Sequence, residues 1–303
     1  MGAWGTGLYS GDFALDLRGT IRAIARLPFP ADRLVDLLCD AEPGAANDAG
    51  DPDHTAFWLV AADQFWKRGI DCPRLRETAL SIIDHGRDSA TMSALGMSAA
   101  DLRRREKVLA ELRGRLASAP PPKSRPILKQ PQRFLVEIGD GYAYPTSRGD
   151  PINPYFPSPE KMPDWHHDGW GIMVVVARGR AFDFLAWYRA VTIGTAVAEK
   201  PATIPMDPSQ LWVLRRPGTM TPLHMKRMRL EKLGSVAIDP DKLSATFPGM
   251  KPGITHAIND ISIANEMHIG PKLPDRAMPP PGAPRHQQTA YPTLLGLTTV
   301  LAS

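Results

Sequence analysis

The densest group of residues able to bind a metal or transfer a proton is the segment DWHHDGWG at positions 164–171. His166, His167 and Asp168 are residue types that bind zinc or act as general acids and bases. In a strand, His166 shares a face with Asp168 but not with His167, whereas a metal needs three or four converging ligands. Further histidines lie in the same half of the chain, among them His224, His256 and His268. The segment therefore favours a loop entering a buried strand, without a metal, and a metal-dependent hydrolase is the alternative.

A second candidate is the basic stretch between residues 101 and 133, which has ten Lys and Arg residues against three acidic residues. Such a stretch could contact nucleic-acid phosphates, and that binding would weaken with added salt. Arg103, Arg104 and Arg105 are consecutive, however, and fan around a helix instead of sharing one face. The stretch is predicted to be a solvated or domain-packing helix surface. Arg103 and Arg104 are candidate contacts for a protein partner, and a nucleic-acid-associated protein is the alternative.

The segment AFDFLAWYRA at 181–190 has the alternation of a strand. Its first face, which carries Phe182 and Tyr188, is predicted to be core. The opposite face is predicted to expose Trp187 beside Arg189, and aromatic residues and arginine are enriched at protein interfaces. These two residues therefore join the candidate partner-binding set.

Motifs of several enzyme classes are absent from the sequence. There is no GxSxG motif for a nucleophilic serine. The glycine-rich GTGLYSG at 5–11 has neither a preceding strand nor a following Lys-Ser/Thr pair, which excludes a P-loop and a dinucleotide fingerprint. No cofactor is expected, and a non-catalytic function is favoured over an enzyme.

The first third of the chain has the periodicity of amphipathic helices. Apolar residues recur at intervals of three and four in five segments, at 13–25, 31–42, 54–68, 73–85 and 99–118. Asp12, Asp53 and Ser98 stand where helix N-caps are expected, and Ser98 with Asp101 resembles a capping pair. The polar residues 41–53 are predicted to form a loop.

The proline-rich segment APPPKSRP at 119–126 predicts a stiff linker, and beyond it the period changes from 3.6 to 2. Residues 133–138 are predicted to form a hairpin with 142–144, and 171–178 to turn at Gly179 into 181–193. We therefore predict an α+β chain. It consists of a helical domain at 1–118, a proline-rich linker at 119–132 and a β-rich domain at 133–303 with a small barrel or curled sheet.

The composition is typical of a globular chain of about two domains, with 303 residues, 43% hydrophobic and 22% charged. The longest apolar run, at 172–177, has six residues and is far shorter than the roughly 20 that span a bilayer. The N-terminus lacks the basic and apolar regions of a secretory signal, and Cys39 and Cys72 form no CxxC motif. A cytoplasmic protein with no membrane association is expected.

The opening MGAWGTGLYSGDFALDLRG resembles a bacterial family of unknown function whose members begin MGAWGTG and continue into an ALD-x-R helix. The resemblance extends through AFWLVAADQFWKRG and ALSIIDHG to the arginine-rich helix. RFLVEIGDGYAYPTSRG at 133–149 looks like the strand pair of immunity-like β-domains found beside polymorphic toxins. What the resemblance implies is a helical domain joined to an SH3-like β-domain, with an immunity or antitoxin-like role as a protein-binding module.

Overall fold

The computed structural model describes residues 5–122, 125–162, 164–247 and 293–302. The chain divides into two compact units at the boundary between Gln130 and Pro131. We call the part before this boundary unit 1 and the part after it unit 2. Unit 1 is helical and unit 2 contains an antiparallel sheet, so the predicted α+β class is confirmed.

Two hydrogen bonds join the predicted linker at 119–132 to unit 1. The Leu128 N–H donates to the carbonyl of Arg26 at 2.7 Å, and Arg125 donates to the carbonyl of Phe29 at 2.8 Å. Residues 125 and 128 of the predicted linker are thus bonded to the loop that follows α1.

Unit 1 is assembled around one central helix. Its helices in the described residues are α1 (Asp12–Ile24), α2 (Ala31–Ala41), α3 (Pro43–Asn47), α4 (His54–Lys67), α5 (Pro73–Asp84), α6 (Arg87–Ala94) and α7 (Ala99–Leu116). Ten of the fourteen residues of α4 are buried, among them Phe57, Val60 and Phe65. A helix that is apolar nearly all round must be covered on all sides. The helices α1, α3, α5, α6 and α7 contact it.

The ends of the helices differ in part from the sequence expectation. Ser98 caps α7 as predicted, because its hydroxyl accepts from the Asp101 N–H at 3.1 Å. Asp12 is instead the first residue of α1, and the side chain of Asp53 makes no capping hydrogen bond to α4. The expected loop at 41–53 contains α3, and α6 was not predicted.

A buried ion pair joins α6 to α7. Arg105 donates to both carboxylate oxygens of Asp88, at 2.9 and 3.0 Å, and these two side chains are 4% and 0% exposed. The same guanidinium donates to the carbonyl of Gly7 at 2.7 Å. Because every buried charge needs a partner, this one arginine fastens the N-terminal loop and two helices together.

Unit 2 contains a seven-stranded antiparallel sheet in its described residues. Its elements are β1 (Asp140–Ser147), β2 (Asp150–Pro151), β3 (Gly169–Ala181), β4 (Leu185–Ile193), β5 (Leu211–Leu214), α8 (Pro222–Arg227), β6 (Glu231–Ser235), α9 (Pro240–Thr246) and β7 (Thr293–Leu295). The strand order is β2-β1-β3-β4-β5-β7, and β6 also pairs with β1. In the described residues the sheet does not close on itself through its strand pairs. Of the two predicted forms, a small barrel and a curled sheet, this fits the curled sheet.

A single bridge joins the segments that follow the outer strands β6 and β7. Ile238 pairs with Leu301, the Ala302 N–H donates to the carbonyl of Ala237, and the Asp239 N–H donates to the carbonyl of Val300. Leu297 and Val300 are completely buried. Residues 297–302 therefore dock in the core of unit 2.

The hairpin of β3 and β4 turns later than predicted. The turn lies at 182–184, where Phe182 and Asp183 have positive φ angles of 51° and 64°. Two consecutive residues with positive φ match the twist of the flanking strands. Gly179 stays inside β3 opposite Trp187, and a Cβ there would lie 2.6 Å from an indole carbon. A glycine is thus required at this position because the indole of Trp187 occupies the space of a side chain, and not because the chain turns here.

Residues 133–138 do not form the predicted strand. Their backbone groups are bonded by side chains instead of by a strand ladder. The Leu135 N–H donates to the hydroxyl of Tyr188 at 2.7 Å, and Arg178 donates to the carbonyl of Val136 at 2.8 Å. This arrangement satisfies the polar backbone of an irregular segment that packs against the core cluster.

We predict that Arg105→Met will destabilise unit 1 by about 3–5 kcal/mol, because it leaves the Asp88 carboxylate buried without its partner. The neighbouring variant Arg104→Met breaks the exposed pair with Asp101 and should cost no more than about 1 kcal/mol. The measurement is the free energy of unfolding in urea. Equal losses in the two variants would contradict the importance of the buried pair.

Candidate functional site

The three chemistry-bearing side chains of DWHHDGWG have three different surroundings. Asp168 accepts the backbone N–H of Arg148 at 2.6 Å, at a turn where Arg148 has a φ of 52°. His166 donates its backbone N–H to the hydroxyl of Ser147 at 3.2 Å. His167 meets Trp170 edge to face, with ring centroids 5.1 Å apart. Asp168 thus stabilises the turn at Arg148, and His167 places its imidazole ring against Trp170.

His166, His167 and Asp168 are exposed and do not converge on a common point. Among the residues that the structure describes, no group of three or more His, Cys, Asp or Glu side chains is placed to hold a metal ion. His256 and His268 lie outside the described residues. In the described residues the geometry therefore gives the hydrolase alternative no assembled ligand set.

Trp187 and Arg189 are not the exposed pair that alternation predicted. Trp187 is only 4% exposed, and Arg189 donates to the carbonyl of Arg215 at 2.9 Å. Burial lowers the pKa of Arg189. Both faces of β4 are covered, so alternation could not identify a solvent face. The expectation that Trp187 is exposed for a partner is therefore wrong.

The basic stretch carries less free charge than its composition indicates. Arg103 and Arg104 are exposed on α7, but Arg104 pairs with Asp101 at 3.0 Å. Arg105 is buried against Asp88, and Arg113 and Arg115 each bond to an aspartate. Paired arginines have less charge to offer to phosphates. The partner-binding role of Arg103 and Arg104 stays a prediction.

The side chain of Trp170 lies between a histidine and a lysine on the surface of unit 2. His167 contacts it edge to face, and the ammonium of Lys200 lies 5.5 Å from its ring centroid. Lys200 also pairs with Glu231 at 2.5 Å. We call His167, Trp170 and Lys200 the Trp170 stack. Such an ammonium–indole contact holds both side chains in place.

A second aromatic group lies on α8 and the loop before β3. Tyr155 is 56% exposed and meets His224 edge to face, with ring centroids 5.9 Å apart. Next to His224, Leu223 is 49% exposed. Arg227 donates to the carbonyl of Pro154 at 2.8 Å and so ties α8 to this loop. We call Tyr155, Leu223 and His224 the Tyr155 patch.

Residues 227–231 connect the two groups. Arg229 lies 3.6 Å from Glu160 in the loop that carries Tyr155, and Glu231 pairs with Lys200 of the Trp170 stack. We call the Tyr155 patch and the Trp170 stack together the aromatic surface. It combines exposed rings, a leucine and cations, but no general acid–base pair is arranged around a common reacting point. The arrangement can bind a partner through apolar contact and charge.

Sequence reasoning found the Trp170 stack only in part and missed the Tyr155 patch. The WHHD motif points to His167, but Lys200 lies 33 residues further along the chain. Tyr155 lies in NPYFPSP, a proline-rich stretch without periodicity. The one sequence signal close to it is the basic segment MKRMR at 225–229 on and after α8.

Comparison with known protein families, curated proteins and solved structures found no match. The resemblance in the N-terminal residues therefore stays a prediction. None of the helices in the described ranges combines the length and the apolar character that crossing a bilayer requires. The N-terminal Trp4 lies outside the described residues.

We predict that lowering the pH will destabilise the protein in part through His224. Burial, together with the nearby Arg227, lowers the pKa of His224 below its usual value of 6.5. The unfolded chain binds that proton more readily, so this contribution to the free energy of unfolding is full above about pH 6.5 and is lost as the pH falls. Urea denaturation at pH 7.5 and 5.5 measures it. His224→Gln should show a smaller loss than the wild type, and an identical pH dependence would contradict the assignment.

Proposed function

We propose that this chain is a non-catalytic protein-binding module that recognises its partner through the aromatic surface of unit 2. The observation that carries the proposal is the exposure of Tyr155 and Leu223 beside the basic residues of α8. Large apolar side chains that stay exposed together at one place are a feature of interaction sites. Tyrosine, tryptophan and arginine are the residue types that dominate binding energy at protein interfaces.

The rings of this surface are held in place before any partner arrives. Tyr155 rests on His224, and Trp170 rests on His167 and Lys200. A side chain that is already ordered loses less conformational entropy on binding. Side chains that are ordered before binding therefore give a higher affinity than mobile side chains with the same contact area.

The charge around α8 indicates the character of the partner. Between residues 222 and 232 there are four basic residues, Lys226, Arg227, Arg229 and Lys232, against the single acid Glu231. Lys232 pairs with Asp140 at 2.7 Å and Arg229 lies 3.6 Å from Glu160, so Lys226 and Arg227 carry most of the charge that is available to a partner. Complementary charge steers association and suppresses binding to wrong partners. The partner surface is therefore proposed to be acidic, with an apolar centre that covers Tyr155 and Leu223.

An immunity or antitoxin-like role is the specific form of this proposal. It is supported by the resemblance of residues 133–149 to immunity-like β-domains. Cytoplasmic location belongs to the same proposal and is supported by the two free cysteines, Cys39 and Cys72. Such a protein acts by occupying a surface of its partner, so it needs no reactive groups.

The test is affinity purification of the tagged chain from a native bacterial lysate at moderate salt. We expect one near-stoichiometric acidic protein to co-purify with the wild type. Tyr155→Ala and Leu223→Ala should each weaken its binding by about tenfold or more, as truncation of a central interface residue does. Binding to the purified partner would then be measured by calorimetry.

Leu295→Ala is the matched control, because it makes the same truncation at an exposed leucine on β7. This variant should bind like the wild type. A partner that is lost equally from Leu223→Ala and Leu295→Ala would contradict the aromatic surface as the binding site. Near-stoichiometric metal after dialysis, with no co-purifying protein, would instead support the hydrolase alternative.

A further inference from the structure

A cluster of basic side chains surrounds Tyr9 in unit 1, apart from the aromatic surface of unit 2. We call it the Tyr9 cluster, and its members are Tyr9, Arg18, Asp63, Gln64, Lys67, Arg68 and Arg115. The loop that carries Tyr9 is held through Gly7 by Arg105. The cluster is therefore built on a fixed part of the chain.

The buried carboxylate of Asp63 is the common partner of three side chains in the cluster. This carboxylate on α4 is completely buried, and it accepts the hydroxyl of Tyr9. It also pairs with Lys67 at 2.7 Å and with Arg115 at 2.9 Å. One buried carboxylate thus fixes the positions of the phenol and two cations.

Gln64 extends the network to Arg68. Its amide nitrogen donates to the hydroxyl of Tyr9, and its side-chain oxygen accepts from the guanidinium of Arg68. Arg68 also donates to the carbonyl of Gln64 at 3.1 Å. The guanidinium is therefore oriented by neutral groups and not by a carboxylate.

The cluster has more positive charge than its own carboxylate can balance. Arg18 and Lys67 both lie 5.4 Å from the ring centroid of Tyr9, and Arg68 follows Lys67 directly at the end of α4. Among the described residues, neither Arg18 nor Arg68 has a carboxylate within the 4.0 Å of an ion pair. Burial, and secondarily Arg22 and Arg18, lower the pKa of Arg68. The neighbouring cations therefore repel the charge on Arg68, and an anion bound among them would relieve that repulsion.

We propose that Arg18, Lys67 and Arg68 form a binding site for a dianionic phosphate group, either inorganic phosphate or a phosphate monoester. The planar fork of arginine matches the oxygens of phosphate, and the lysine ammonium has three donors, of which Asp63 takes one. A dianion compensates more of the excess charge than a single carboxylate does. The cations lie around the single ring of Tyr9 and do not form a line along the surface. The site therefore suits one terminal phosphate group better than the repeated phosphates of a nucleic acid.

The test is thermal unfolding and calorimetric titration of the full chain with inorganic phosphate at pH 8, with ionic strength held constant by sodium chloride. We expect a saturable rise in Tm and measurable binding. Arg18→Gln, which removes an exposed cation, should weaken binding by about tenfold or more, as expected for loss of a charge-assisted hydrogen bond. Arg68→Gln should do the same, and Arg68→Lys should recover part of the affinity because it restores the charge.

The matched control is Arg33→Gln, which removes the same charge from an exposed position on α2. It should bind phosphate like the wild type. The proposal is overturned if phosphate has no effect, if acetate at equal ionic strength gives the same rise in Tm, or if Arg33→Gln weakens binding as much as Arg18→Gln does.

Two further ligands identify the source of the phosphate. Equal affinity for inorganic phosphate and for a phosphoserine peptide supports a site that reads the phosphate group alone, and tighter binding of the peptide supports a phosphorylated protein as the source. Tighter binding of a single-stranded oligonucleotide without terminal phosphate would overturn the proposal in favour of a nucleic-acid site. The site lies in unit 1, so its failure would leave the proposed function of unit 2 untouched.

Discussion

Two buried carboxylates, Asp63 and Asp88, govern how the helical unit is assembled. Each is completely removed from water, and a buried charge is tolerated only with partners that satisfy it. Asp88 accepts two hydrogen bonds from Arg105, which donates a third to the carbonyl of Gly7. Asp63 takes Tyr9, Lys67 and Arg115. The N-terminal loop, the central helix α4 and the last helix α7 are thereby specified together, since moving any one of them would leave a charge unpaired.

The sheet of unit 2 depends on a different constraint, which is the satisfaction of backbone groups where the strand ladder stops. Asp140 at the start of β1 accepts the Glu137 N–H at 3.1 Å and the hydroxyl of Ser235 at 2.7 Å. It thereby ends the irregular segment before β1 and holds the end of β6. At the other side, the bridge of Ile238 to Leu301 occupies groups that would otherwise be exposed at the margins of the sheet. Edges covered in this way are protected from pairing with other chains.

Periodicity predicted the architecture well, because α1, α2, α4, α5 and α7 each have a repeating apolar stripe. It failed where other interactions determine the structure. In α6, RDSATMSA has one large apolar residue, and its main anchor is the charged Asp88, which a hydrophobic pattern cannot reveal. Residues 133–138 have the composition of a strand, but Tyr188 and Arg178 bind their backbone. Alternation along 181–190 predicts one solvent-exposed face with Trp187 on it, whereas both faces of β4 are buried. The candidate sites were less predictable still, since Tyr9 and Asp63 are 54 residues apart.

The same physical argument decides which basic residues are available for binding. A stretch rich in arginine was the most visible feature of the sequence, yet most of the arginines on α7 hold aspartates of the same unit, at distances of 2.6–3.0 Å. The charge of these arginines is therefore largely compensated by the aspartates within the unit. Arg18 and Arg68 come from sequence with no unusual composition, but their guanidiniums have no carboxylate partner among the described residues. A cation contributes to recognition only to the extent that the fold leaves its charge uncompensated, and this depends on contacts across the chain and not on local composition.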